Sequence, residues 1–85
     1  MKEFRYRITD ELGLHARPAG QLVKMATGFE CEIKIGTPEK MVDAKRIMGV
    51  MGLALKQGDE VTLTFNGPDE AEALNALETF LKGNL

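Results

Sequence analysis

Glu60-Val61-Thr62-Leu63-Thr64-Phe65-Asn66-Gly67-Pro68-Asp69-Glu70 is the stretch that decides the fold. Val61, Leu63 and Phe65 alternate with Thr62 and Thr64, which predicts a strand with one apolar and one wet face. Strands buried on both faces of a parallel sheet read instead as unbroken apolar runs, so the alternation points to an antiparallel sheet open on one side. Gly67-Pro68-Asp69-Glu70 then reads as a helix start. Proline loses nothing in the first turn, and acids suit the free N–H groups there. Leu74, Leu77 and Leu81, with Ala73 and Phe80 beside them, mark the buried face of that helix, and Lys82 and Gly83 close it.

The same alternation recurs upstream. Phe4, Tyr6 and Ile8 alternate with Arg5, Arg7 and Thr9, and Cys31, Ile33 and Ile35 alternate with Glu30, Glu32 and Lys34. Gly36-Thr37-Pro38-Glu39 reads as a turn into a short strand at Met41 and Val42. Between the first two strands, Ala19, Leu22, Val23 and Ala26 fall at helical spacing. Pro18 is tolerated only in a first turn, so this helix begins near His15 to Arg17, and Gly28 follows as its stop. Ile47, Val50, Met51 and Ala54 give the buried stripe of a further helix spanning Ile47 to Leu55, which Gln57-Gly58-Asp59 ends. Met48, Gly52 and Leu55 form a second apolar stripe on an adjacent face. That helix is therefore either deeply buried or presents an apolar patch to a partner.

The resulting order is β-α-β-β-α-β-α. The expected architecture is α+β: an open-faced sandwich with a mainly antiparallel four-stranded sheet and three helices on one face. With 85 residues the chain is expected to form one domain, residues 1–85.

Composition removes several classes of function. A net charge of −2 gives no bulk electrostatic case for binding nucleic acid or an anionic membrane. The longest apolar stretch, Ile47 to Leu55, is far too short to cross a bilayer, so no membrane insertion is expected. Met1 to Arg7 contains no apolar segment of the secretory type. Cys31 is the only cysteine, so it has no internal disulfide partner. No zinc-type Cys/His spacing exists, and a cytoplasmic protein without metal or cofactor is expected. Cys31 itself reads as a small buried hydrophobe, and Asp10-Glu11 as a solvated loop.

The chemistry is concentrated around the only histidine, in Gly13-Leu14-His15-Ala16-Arg17-Pro18-Ala19. His15 lies where a loop enters a helix. The first helical N–H groups lack intrahelical partners, and the helix dipole adds positive character, so such a site takes anions and phosphate above all. Arg17 adds a planar cationic fork suited to phosphate oxygens. A neutral imidazole carries the lone pair that attack on phosphorus requires. On spacing alone the alternative is a surface histidine near a cap with an incidental arginine.

These residues resemble the active-site signature of the HPr family, the histidine-containing phosphocarriers of the bacterial phosphoenolpyruvate-dependent sugar phosphotransferase system. Lys45-Arg46-Ile47-Met48-Gly49-Val50-Met51 resembles that family's second segment, most closely in its Gram-positive branch. The likeness extends over essentially the whole chain. It implies that His15 takes a phosphoryl group on Nδ1 from phosphorylated enzyme I and gives it to a IIA domain of a sugar permease. It implies that Arg17 and the N–H groups of Ala16 and Arg17 hold the phosphoryl oxygens. It further implies that Gly20, Ile47, Met48, Gly49, Met51 and Gly52 form a surface that enzyme I and the IIA domains share in turn. A protein of this kind is a carrier rather than a catalyst, and a monomer suits it best.

Two positions depart from the pattern. Position 12, often polar in the family, is Leu12. Position 46, the serine that a regulatory kinase phosphorylates in the Gram-positive branch, is Arg46, and the chain contains no serine. A regulatory paralogue that is phosphorylated on His15 but signals to a regulator is the second reading. A small acylphosphatase-like enzyme is a third, for which the sequence offers an anion site but no water-positioning group. A non-catalytic ligand-binding module is the last, and it leaves the pairing of His15 with Arg17 without a purpose.

Overall fold

The computed structural model describes all residues, 1–85. The elements run β1 (Lys2–Arg7), α1 (Ala16–Thr27), β2 (Glu32–Thr37), β3 (Lys40–Asp43), α2 (Ile47–Met51), β4 (Glu60–Asn66) and α3 (Glu70–Asn84). The four strands form one sheet in the order β1-β4-β2-β3, and every neighbouring pair is antiparallel. The α+β open-faced arrangement expected from the alternation is the one observed.

Register explains why alternation sorts the chain into two faces. Phe4 pairs with Leu63, Leu63 with Ile35, and Ile35 with Val42, giving one apolar row across all four strands. One residue along each strand the row becomes Arg5, Thr62, Gly36 and Met41, which belongs to the open face. Because side chains alternate with period two, a one-residue slip would exchange these rows and put Leu63 and Ile35 in water. α1 and α3 pack on each other and α3 on β1 and β4, while α2 packs on α1 and β3. The core between the layers is apolar throughout: nineteen hydrophobic residues are buried, and no polar or charged residue is.

Three helix ends differ from the sequence expectation. α2 stops at Met51, four residues short of Leu55. Gly52 caps it, Leu53 and Ala54 donate to Val50 and Met51 in tight turns, and Ala54 turns left-handed at φ 52°. Of the four residues expected on its buried stripe only Val50 is buried. Ile47 and Met51 are 40% and 37% exposed, Ala54 lies outside the helix, and Leu55 is in the core instead. α3 begins at Glu70, so Pro68 and Asp69 precede its first turn, and it continues through Gly83 to Asn84.

Asp69 does not cap its own helix. Its carboxylate accepts the N–H groups of Glu30 and Cys31, both at 2.8 Å, and so fastens the start of α3 to the start of β2. The Glu30 N–H is the main reason its pKa is lowered. Glu70 is lowered likewise, chiefly by accepting the Gly67 N–H at 3.0 Å. Gly67 is needed at this junction: a Cβ there would stand 2.6 Å from Cys31 Cα. Cys31 is buried as expected, and burial, followed by its hydrogen bond with Asp69, pushes its thiol up to about 11.

Candidate functional site

His15 is the N-cap residue of α1, half-buried, with extended backbone at φ −92° and ψ −179°. Its carbonyl accepts the N–H of Ala19 at 3.0 Å, the bond that starts the helix. Pro18 contributes no N–H. Ala16 and Arg17 are therefore left with the only two N–H groups in this turn that have no acceptor within the helix. The imidazole makes no capping hydrogen bond to them, so both donors and the ring remain available. Arg17 is exposed and takes part in none of the chain's four ion pairs. The first turn of α1 contains no acidic residue to compete for it.

The approach to His15 is fixed by backbone contacts. Asp10 turns the chain: its carboxylate accepts the Leu12 N–H at 2.8 Å and its carbonyl the Gly13 N–H at 3.0 Å. Gly13 adopts φ 65°, and a Cβ on it would lie 2.4 Å from the Leu55 carbonyl oxygen. Leu14 is buried and donates to that same carbonyl at 3.0 Å. Thr9 and Asp10 donate to the carbonyl of the buried Leu85. Sequence reasoning missed Leu55 and Leu85 as supports of the site. Their signals are faint: a glycine two residues before the histidine, and an apolar residue at position 85. Leu12 is exposed and makes no side-chain hydrogen bond that could reach His15.

α2 packs against α1 and offers a second feature. Met48 is 81% exposed, and with Ile47 and Met51 it forms an apolar surface on a helix too short to bury it. Gly20, on α1, is exposed with open space above its Cα, and Gly52 is exposed at the end of α2. Gly49 differs from these: a Cβ there would touch Val42 at 3.4 Å, so it faces β3. Beside the patch lies a shallow hollow of about 490 Å³ whose lining includes Asp43, Arg46, Ile47 and Met48. Arg46 is the N-cap residue of α2 and makes no capping bond; its guanidinium lies 3.8 Å from the Asp43 carboxylate. Lys45 is turned away, donating to the Phe29 carbonyl at 2.7 Å. No three metal-ligating side chains of His, Cys, Asp or Glu lie together, and no helix is long and apolar enough to cross a membrane.

The site thus joins a histidine without a protein partner to two free amide donors and an unpaired arginine. With the half-open sheet beneath it, this defines a class of small α+β proteins that offer a histidine to an anion at a helix start. The family described as "PTS HPr component phosphorylation site" matches residues 2–83. The chain belongs to that family, HPr. It is 52% identical over 81 residues to the phosphocarrier protein HPr of Lysinibacillus sphaericus, covering 95% of this chain and 92% of that protein. A crystal structure of HPr from Thermoanaerobacter tengcongensis superposes with a TM-score of 0.92 at 42% identity, covering 98% of this chain and 93% of the other. The Bacillus subtilis catabolite repression protein Crh, described as a swapped dimer, superposes with a TM-score of 0.77 at 38% identity, covering 100% and 98%.

Proposed function

We propose that this protein is a phosphoryl carrier that accepts its phosphoryl group on His15 from phosphorylated enzyme I and passes it to IIA domains of sugar permeases. The observation that carries the reading is the unpartnered imidazole of His15 beside the free N–H groups of Ala16 and Arg17. In-line attack by Nδ1 forms the N–P bond while the donor's bond to phosphorus breaks. Negative charge then spreads over three equatorial oxygens. The two amides and the Arg17 guanidinium are preorganised donors for those oxygens, so little reorganisation is needed as charge develops. Transfer onward is the same step with the IIA nucleophile attacking. The protein is a substrate of enzyme I and a donor to the IIA domain, not an independent catalyst, and requires no cofactor.

Ile47, Met48, Met51, Gly20 and Gly52 form the surface that both partners use, with Gly49 supporting it from beneath against Val42. Since donor and acceptor share one face, the working form is a monomer of residues 1–85, and its compartment is the cytoplasm. The test is to mix the protein with enzyme I and phosphoenolpyruvate and look for acid-labile phosphate. Wild type takes one phosphoryl group and His15→Ala takes none, with an unchanged fold. Full labelling of His15→Ala removes the carrier reading.

The likeness to Crh, described as a catabolite repression protein, favours one second reading, a protein that signals to a regulator; in that reading the phosphoryl group on His15 follows from this chain's own site and not from the likeness. Phosphoryl transfer from the labelled protein to a IIA domain separates the two, because only the carrier gives its phosphate to that acceptor.

A further inference from the structure

The docking patch places a reactive sulfur in water. Met48 is 81% exposed, while Met25 packs against the core, Met41 is half-buried on the open sheet face and Met51 is 37% exposed. Met1 is 78% exposed, but it precedes β1, at the sheet edge opposite β3, on which α2 packs, and its amino group meets Glu70 at 3.3 Å. The chain's only thiol does not compete for an oxidant. Cys31 is 1% exposed and held almost wholly as the thiol by burial, and the thiolate is the form that peroxides attack.

We infer that Met48 is a peroxide-sensitive modification site, and that its conversion to the sulfoxide switches off docking while leaving the fold and His15 intact. The inference rests on the carrier reading. The Met48 sulfur lone pair attacks the distal oxygen of a hydroperoxide. The S–O bond forms as the O–O bond breaks, and the departing oxygen takes up a proton to leave as water or an alcohol. Methionine is oxidised by two electrons and the peroxide is reduced by two. The product is polar and chiral where an apolar contact needs a flexible thioether. The fold survives because Met48 is outside the core, and Val50 is the residue that anchors α2.

The experiment treats the whole protein with graded hydrogen peroxide and maps each methionine by peptide mass spectrometry. It then measures the melting curve and the affinity for enzyme I. Met48 and Met1 should oxidise several-fold faster than Met25, Met41 and Met51. The melting curve should stay in place while affinity falls by about tenfold. Whatever its untreated affinity, Met48→Leu should lose no more of it on treatment, whereas Met1→Leu should lose affinity on treatment as the wild type does. Methionine sulfoxide reductases of both epimer specificities should restore the wild type. Oxidation of Met25 or Met41 as fast as Met48 overturns the inference, as does an affinity loss that persists in Met48→Leu. If untreated protein does not bind enzyme I, the carrier reading fails and the switch with it. If untreated protein binds and the Met48 sulfoxide binds equally well, the switch alone fails.

Discussion

Leu14 donates its N–H to the carbonyl of Leu55 at 3.0 Å, joining the residue before His15 to the turn that follows α2. Gly13 lies against that same carbonyl, with φ 65° and no room for a Cβ. The start of α1 and the end of α2 are thus held by one backbone oxygen, and the position of His15 depends on both.

Gly13→Ala should therefore disturb the site as well as the fold. The added methyl meets backbone at Leu55 and Lys56 and cannot be relieved by a side-chain rotation. Strained left-handed backbone for a non-glycine residue costs about 1–3 kcal/mol. Urea denaturation should show a loss of at least this order, and transfer from enzyme I should slow in the surviving folded fraction. A variant with unchanged stability and rate would show that the Leu55 contact does not position His15.

Arg17→Ala should slow transfer without ending it, because the N–H groups of Ala16 and Arg17 remain. A hydrogen bond to a charged group contributes about 1.5–3 kcal/mol, so the rate should fall by roughly 10- to 150-fold. Single-turnover phosphorylation in both directions measures this. Equal rates in variant and wild type would make Arg17 incidental. Arg17 is exposed, so its melting temperature should hardly move.

Adjacent residues of α2 should behave oppositely. Met48→Asp puts a charge into the exposed patch and should weaken binding of enzyme I and IIA domains, while stability changes by less than about 0.5 kcal/mol. Val50→Ala empties a fully buried position and should cost about 2 kcal/mol with affinity nearly kept in the folded protein. Calorimetric titration against thermal melts separates the two effects. A large loss of stability in Met48→Asp with unaltered affinity would place Met48 in the core.

Asp69 predicts the shape of the acid limb. Its folded pKa lies below the ordinary 3.8, so its contribution is fully present above that value. The contribution disappears as pH falls through the lower folded pKa. Asp69→Asn should lower stability near neutrality and flatten the decline as pH falls below 3.8. Denaturant midpoints across that range test it. A variant whose decline parallels the wild type would mean that the bonds to Glu30 and Cys31 do not stabilise the fold.

The strands were legible in the sequence because one face of the sheet is open. Wetting that face forces Thr62, Thr64, Lys34 and Arg5 to alternate with Leu63, Ile33, Ile35 and Phe4. The start of α1 was legible because Pro18 restricts where a helix begins. The end of α2 was not. Ala54 continues the helical spacing from Ile47, and its left-handed backbone carries no glycine to announce it. Asp69 reads as a helix-start acid, and nothing local shows that its carboxylate reaches Glu30 and Cys31, 39 and 38 residues away. For the site, His15 and Arg17 were visible as a pair, whereas Leu55 and Leu85 support it only through tertiary backbone contacts.

Arg46 carries the last prediction. It is the N-cap residue of α2, where a serine oxygen would accept a free N–H; arginine makes no such bond. The cap it forgoes is worth about 1 kcal/mol. Its 3.8 Å pair with Asp43 is exposed on both sides and returns only a few tenths of a kcal/mol, about 0–0.5. Arg46→Ser should therefore stabilise the protein slightly, by about 0.5–1 kcal/mol in urea denaturation. It should also create a hydroxyl for the regulatory serine kinase of the Gram-positive branch. The wild type offers none: the chain has no serine, and its six threonines are Thr9, Thr27, Thr37, Thr62, Thr64 and Thr79, none of them on α2 or at its cap. Incubating both proteins with that kinase and ATP, then mapping acid-stable phosphate, should label only Arg46→Ser. Stoichiometric acid-stable phosphate on a wild-type threonine would return this protein to serine/threonine-kinase control.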